Sequence, residues 1–443
     1  MAYDYDTIII GGGPGGLAAA YALLRKQKIL VIENNLWGGT CPNFGCDPKK
    51  MLYGVVESKR QTQRYGQSGI TGKVDIDWPA LMAFKHGYTD KIPSGTHDGL
   101  TSSGIATLFG TAKFVDAHTL EVNDKRVTGE SIIIATGAKP AIPDVPGKAL
   151  FQTSTDFLSL PELPHEIGFV GAGYVAIELA NIAAEAGATV HIFQHNDKLL
   201  RGFPEADTAV LRDTLAAKGI QFHWNTAVTG VSESKTGVIV HTDNKDVALD
   251  TIFAAAGRPA NIAGLHLEAA GIAASAKGIE VNDHLQTAAS NVYAIGDVIA
   301  KTVPKLTPVS GFEGHYVADL LLGQQHAAIS YPPIPHTVFA GPELAQVGVT
   351  LTMAAAHPDA YVVRPAEVGS WYTYNRLQDK TARVTVILDK QTNQLVGAVV
   401  LAVNAEELIN TFSGIITRHE SAAEAESWMP VYPSAESDLE YFY

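Results

Sequence analysis

Short apolar runs alternate with alanine-rich amphipathic stretches through the first part of the chain, the pattern of strands and helices laid down in turn. Thr7-Ile8-Ile9-Ile10 reads as a buried strand that stops at Gly11-Gly12-Gly13-Pro14-Gly15-Gly16. A helix is predicted from Leu17 to Arg25, and a second strand, Ile29 to Ile32, closes on Glu33. Strand, turn, helix and strand form a βαβ unit whose strands should be parallel neighbours. The pattern returns about 160 residues later: strand Ile167 to Val170, turn Gly171-Ala172-Gly173, helix Tyr174 to Ala186 and strand Thr189 to Phe193. Proline-rich stretches at 139–147 and 331–335 mark joints. Beyond Tyr331 the period shortens to strand-like alternation, Ala382 to Leu388 and Leu395 to Val403, before an apolar-rich helix from Ala405 to Thr417. These joints leave two α/β folds before Tyr331 and a C-terminal α+β part after it.

Composition changes this picture little. Hydrophobic content of 46% and charged content of 18% describe a globular chain with ample core. A net charge of −14 argues against a nucleic-acid or anionic-membrane surface, and no apolar run is long enough to span a bilayer. The N-terminus, Met1 to Asp6, is acidic and leads into a strand, so it is not read as a signal peptide, and cytoplasmic residence is expected.

The glycine turns carry the first chemistry. Gly11-x-Gly13-x-x-Gly16, with Pro14 and Gly15 between, has the spacing that lets backbone approach a pyrophosphate at a helix N-terminus. Glu33, 22 positions after Gly11, stands where an acid accepts ribose hydroxyls. Gly171-x-Gly173-x-x-Ala176 repeats the spacing, with Tyr174 and Val175 opening its helix, but no acid ends its second strand. Gln194, His195, Lys198 and Arg201 stand there instead, which suits a 2′-phosphate and favours NADPH over NADH. The plainer reading is a solvated loop, and Asp197 among the cations leans that way.

Cys41 and Cys46 are the only two cysteines. Five positions apart on a regular helix, their Cα atoms would lie roughly 8 to 9 Å from each other. A disulfide tolerates only about 7 Å, so bridging needs a break, for which Pro42 and Gly45 are suited. Cys46 should then open a helix through Lys49 and Lys50, where the helix dipole and the lysines favour a thiolate. Two inert buried thiols or half a zinc site are the alternatives; no other cysteine or spaced histidine pair completes the latter, and no metal site is expected.

Gly38-Gly39-Thr40-Cys41 through Cys46-Asp47-Pro48-Lys49-Lys50 resembles the redox-disulfide motif of the class I pyridine nucleotide–disulfide oxidoreductases, among them glutathione reductase, dihydrolipoamide dehydrogenase and mercuric reductase. Further segments resemble the same family in order: Ala135-Thr136-Gly137, Gly257-Arg258, Gly296-Asp297, Leu306-Thr307-Pro308, and Val338-Phe339 at the start of the last domain. The resemblance implies two Rossmann-like dinucleotide-binding domains plus a C-terminal α+β dimerisation domain. It assigns 1–145 and 264–330 to FAD, 146–263 to NAD(P)H and 331–443 to a homodimer interface. It further implies that Gly39, Thr40 and Lys50 contribute to cofactor binding. Tyr174 would gate the nicotinamide, Lys49 and Glu178 would form an ion pair near the flavin, Cys46 would face the flavin, and Cys41 would attack a small disulfide substrate.

The chain departs from the family at its end. Tyr432 occupies the position of the histidine that serves the outer thiol as acid and base, and the accompanying acid is displaced to Glu436 or Asp438. Tyr21 replaces an arginine of the glutathione reductases, and Asp47 replaces an apolar residue. Asp47 either opposes the lysines and raises the thiolate's pKa or points to solvent. Reduction of a small disulfide is the first expectation. Reduction of metal ions, quinones or oxygen, a dihydrolipoamide dehydrogenase-like activity, and a non-enzymatic redox sensor are the alternatives.

Overall fold

The computed structural model describes residues 3–66 and 68–443. Met1 and Ala2, where the reading of the N-terminus began, lie outside the described residues. The described chain divides into two units, one of residues 1–49, 83–141 and 257–330, the other of residues 50–82, 142–256 and 331–443.

The first unit is built on a parallel sheet in which Ala106–Phe109, Ile29–Glu33, Tyr5–Ile10, Lys125–Ile134 and Val292–Ala294 follow one another edge to edge. Its strands are apolar on both faces because both faces are covered; Ile8, Ile9, Val31, Ile132, Ile133 and Ile134 are fully buried. The helix after the first strand runs Pro14–Leu23, starting three residues before the expected Leu17. Pro14 suits a first helical position, where its missing N–H has no partner to lose. Gly15 and Gly16 are helical because they pack at close range: a Cβ on Gly16 would meet the Gly11 carbonyl oxygen at 2.0 Å, and one on Gly15 the Ser310 oxygen at 3.2 Å. The helix stops short of the expected Arg25, which adopts a left-handed φ of 66°.

The second unit carries two sheets that matter here. Thr251–Ala254, Glu166–Val170, Thr189–Phe193 and Ile220–His223 form a four-stranded parallel sheet with helix Tyr174–Glu185 crossing between the second and third strands named. Phe157, Phe169 and Phe253 pack ring against ring beside it, joined by Leu52, Tyr53, Val56 and Trp78. A five-stranded antiparallel sheet, His336–Val338, Glu343–Gly348, Leu395–Ala402, Arg383–Asp389 and Tyr361–Glu367, is covered by helix Ala405–Thr417, whose Leu408, Ile409, Phe412 and Ile415 are buried. The α/β class with a C-terminal α+β part is the class expected from the pattern. No helix among the described residues is long and apolar enough to cross a membrane.

Candidate active site

The first glycine turn is a cradle with no room to spare. Gly11 has φ +115°, a conformation open to glycine, and a Cβ there would meet the Ala135 oxygen at 2.3 Å. Gly39, at φ +71°, approaches so closely that its Cβ would lie 2.6 Å from the Cα of Gly13. Gly13 is the N-cap of Pro14–Leu23 and no side chain caps it, so first-turn N–H groups are left for an anion. Glu33 is buried, and its carboxylate accepts from the backbone N–H of Gly12, Asn34 and Asn35 at 2.8 Å each. That fixes an acceptor-only group at the end of the second strand. The buried hydroxyl of Thr136 has no hydrogen-bond partner, as expected of a group that meets something other than protein. Gly137 and Thr136 are tied by carbonyl bonds to Asn261. These features fit a dinucleotide such as FAD. Gly11, Gly13, Gly15, Gly16, Gly39 and Thr40 would hold its phosphates and Glu33 its ribose, with Ala135, Thr136 and Gly137 alongside.

Asp297 lies near the start of a short helical turn, Gly296–Val298, and is half-buried; burial raises its pKa, opposed by Lys305 and Arg258. Arg258 donates to the Ala138 carbonyl at 2.8 Å. Leu306 caps helix Thr307–Leu321, which Thr307 and Pro308 open. A small cavity lies here, lined by Asp297, Lys305, Leu306 and Glu313 among others.

The cysteines sit on either side of a helix break. Thr40–Phe44 ends at Gly45, with φ −136° and ψ −112°, and a new helix, Cys46–Arg64, starts at Cys46 itself. A side chain on Gly45 would press to 2.9 Å of the Thr40 oxygen. Both cysteines are free thiols, Cys41 half-buried and Cys46 exposed. Cys46 Sγ lies 3.5 Å from the Thr307 hydroxyl. Its pKa falls to about 6, chiefly because the Cys41 thiol donates to it; burial and Asp47 oppose this, while Thr307 and the charge of Lys49 add to it. Cys41 moves far the other way, as the donor to Cys46, by burial, and by the negative charges of Cys46 and Asp47. The reduced pair thus keeps its proton on Cys41 and its charge on Cys46. Lys49 is buried, and its charge acts on Cys46. Lys50 instead pairs with Glu406 and lies over the Phe339 ring at 3.7 Å, with Glu343 at 4.0 Å.

Asp47 does not simply face water. Its Oδ1 lies 3.9 Å from Cys41 Sγ, and its Oδ2 accepts from the Tyr88 hydroxyl at 3.1 Å. Sequence reasoning missed Tyr88: it is 41 positions away, and nothing local marks it.

The second glycine turn has the same build. Gly171, at φ +107°, would press a Cβ to 2.6 Å of the Ala255 oxygen, and Gly173 is the uncapped N-cap of Tyr174–Glu185. His195 and Arg201 are exposed, and Lys198 has Glu205 at 3.4 Å. Tyr174 packs against Phe203 and His336, and Glu178 accepts from the Phe339 N–H at 2.9 Å. Gly257, next to Arg258, has φ +141°. At the C-terminus, Tyr432 is 78% exposed, while Glu436 is half-buried at the start of a short helix.

A fold of paired dinucleotide turns with a tuned thiol pair between helices is that of a flavin-linked disulfide oxidoreductase. Residues 5–314 match the model of the pyridine nucleotide-disulphide oxidoreductase family, and residues 334–441 match its dimerisation domain. The chain belongs to this family; it is an FAD-dependent disulfide oxidoreductase that also uses a pyridine nucleotide. It is 30% identical to the chloroplastic/mitochondrial glutathione reductase of Pisum sativum, over 99% of this chain and 82% of that one. It is likewise 30% identical to the mercuric reductase of Staphylococcus aureus, over 92% and 76%. Among solved structures it is similar to the HOCl-induced flavoprotein disulfide reductase RclA from Escherichia coli, with 27% identity, TM-score 0.89 and 99% of each chain covered.

Proposed function

We propose that this protein is a homodimeric, NADPH-driven reductase of a small disulfide, working through Cys41 and Cys46. The observation that carries this reading is the placement of two free thiols on either side of the helix break at Gly45, with Cys46 opening helix Cys46–Arg64 3.5 Å from the Thr307 hydroxyl. FAD, when bound, would supply the electron pair, drawn from the pyridine nucleotide, that reduces the Cys41–Cys46 disulfide. The chain's own residues do the rest. Cys41 Sγ, its proton passing to the Cys46 thiolate it donates to, attacks one sulfur of the substrate; a Cys41–sulfur bond forms, the substrate S–S bond breaks, and the thiolate released takes that proton from Cys46, leaving Cys46 a thiolate again. Cys46, already a thiolate, then attacks Cys41 Sγ, restores the Cys41–Cys46 disulfide, and expels the second thiolate, which takes a proton from water. The substrate gains two electrons and the pair loses two.

Anaerobic NADPH should make both thiols titratable, and the oxidised protein should show neither. A pair that stays unreactive after NADPH would end the reading. The roles of Lys49, Glu178, Tyr174, Tyr432 and Glu436 rest on the family resemblance. Apolar exposure at Met429 and Val431, 98% and 81%, supports a second copy covering this end of the chain.

The preference for NADPH rests on the missing acid after Thr189–Phe193 and on exposed His195 and Arg201. Arg201→Ala should raise the KM for NADPH roughly tenfold, the size of one lost charge-assisted bond, and leave that for NADH unchanged. Equal changes for both nucleotides would count against a 2′-phosphate contact.

A second class of acceptor, soft metal ions, is supported by the relative named a mercuric reductase and by solved Cu(II) complexes of RclA. Turnover with cupric and mercuric ions beside a disulfide panel separates the two classes.

A further inference from the structure

Asp47 sits at the outer thiol, and its position has a consequence for the substrate. The Asp47 carboxylate is 3.9 Å from the sulfur that must meet the substrate, and the Tyr88 hydroxyl, at 3.1 Å from the other oxygen, holds it there. Tyr88 is 44% exposed and Asp47 half-buried, so the pair lies at the solvent side of Cys41. Thr307 also acts on both thiols; of the charged side chains, the cations Lys49 and Arg258 act on Cys46, whereas Asp47 acts on Cys41 as well as on Cys46. The charge nearest the outer sulfur is therefore negative.

We infer that Asp47, positioned by Tyr88, is a specificity-determining residue that favours small disulfides carrying positive charge near sulfur over anionic ones. The inference rests on the disulfide-reductase reading above. A substrate sulfur must come to bonding range of Cys41 Sγ, about 2 Å in the product. An ammonium or carboxylate two or three bonds from that sulfur then lies within roughly 6 to 9 Å of Asp47, a distance at which a unit charge changes the rate roughly three- to tenfold. Reversing the sign counts this factor twice, so a cationic and an anionic disulfide of equal size should differ roughly ten- to hundredfold through Asp47 alone. The separation is close to a physiological Debye length of about 8 Å, so the preference should shrink as salt is added.

The electron balance is unchanged: reduced Cys41 and Cys46 give one electron pair to the substrate disulfide, and two thiols leave. Asp47 takes no electron; it sets which substituents can approach.

The test uses the holoenzyme and three disulfides of similar size: cystamine (cationic), hydroxyethyl disulfide (neutral) and dithiodipropionate (anionic). At low salt, kcat/KM should fall in that order. Asp47→Asn, which keeps the Tyr88 contact and the shape but loses the charge, should reduce the cystamine-to-dithiodipropionate ratio at least tenfold. Asp47→Glu should keep most of the ratio, and Tyr88→Phe should give a smaller loss than Asp47→Asn. As a readout apart from turnover, the rate at which reduced Cys46→Ser protein forms a mixed disulfide, followed by mass, should show the same charge order and lose it on adding Asp47→Asn. If the wild type reduces none of the three, the disulfide-reductase reading fails and takes this inference with it. If it reduces them and the ratio is the same in Asp47→Asn, the inference alone is overturned.

Discussion

Cys46→Ser should lose disulfide turnover by roughly 10⁴-fold or more, the scale seen when a covalent nucleophile is removed. Serine is nearly the size of cysteine, and Cys46 is exposed, so the fold should survive and the thermal midpoint should hardly move. The loss is chemical. Cys41 can still form a mixed disulfide with substrate, but no thiolate remains to resolve it. The reduced variant should therefore trap a stable adduct of one substrate half, visible as a mass increase that a reductant removes. A wild-type-like rate, or no adduct, would place the resolving thiol elsewhere, and only two cysteines exist to choose from.

The same residue fixes the acid limb of the pH profile. The Cys46 pKa is depressed to about 6 from an ordinary thiol value, so the thiolate is present above about pH 6 and is lost as pH falls through it. Alkylation of Cys46 in the reduced pair, where Cys41 still holds its proton, should slow by about tenfold per pH unit below that point. Its thiolate owes most to the proton held on Cys41, with Thr307 and Lys49 adding to it. Thr307→Val should accordingly move the acid limb toward neutrality.

Much of this is legible in the sequence. The two βαβ units declare themselves because a buried parallel strand, a glycine turn and an alanine-rich helix each have a strong local signature. The thiol pair was legible for the same reason, since Gly45 and Pro42 lie between the cysteines. What the sequence hides is long-range. Residues 50–82 pack Leu52, Tyr53, Val56 and Trp78 with Phe157 and Phe169; an amphipathic pattern marks a buried face without saying which core receives it. Gly15 and Gly16 read as part of a phosphate turn, yet they also serve helix packing, because the Ser310 segment that meets Gly15 lies almost 300 positions on. Asp47 was ambiguous from its neighbours alone, and only the fold brings Tyr88 to it.

Gly13 and Gly16 should part company when each is replaced by valine, because only one of them is crowded by protein. A Cβ at Gly16 would lie 2.0 Å from the Gly11 carbonyl oxygen, a backbone atom fixed by the strand that precedes it. Overpacking at such a site costs about 1–3 kcal/mol or more, so Gly16→Val should lower the thermal midpoint by roughly 1–3 °C or more. It should also lose flavin, because the turn itself is displaced. Gly13 differs. Its φ of −86° and ψ of −177° suit any residue, and a Cβ there meets only Gly39 Cα at 3.6 Å, an ordinary contact. Gly13→Val should fold as well as the wild-type chain without cofactor. The new side chain would stand instead where a pyrophosphate must approach the first-turn N–H groups. Losing two or more charge-assisted bonds there should weaken FAD roughly 10² to 10⁴-fold. The flavin-to-protein absorbance ratio and the thermal midpoint, with and without added FAD, measure the two effects separately. The wild-type midpoint should rise with FAD by mass action and that of Gly13→Val should not. Should Gly13→Val retain flavin, the phosphates do not sit on this turn, and the assignment of Gly11, Gly13 and Glu33 to the cofactor falls with it.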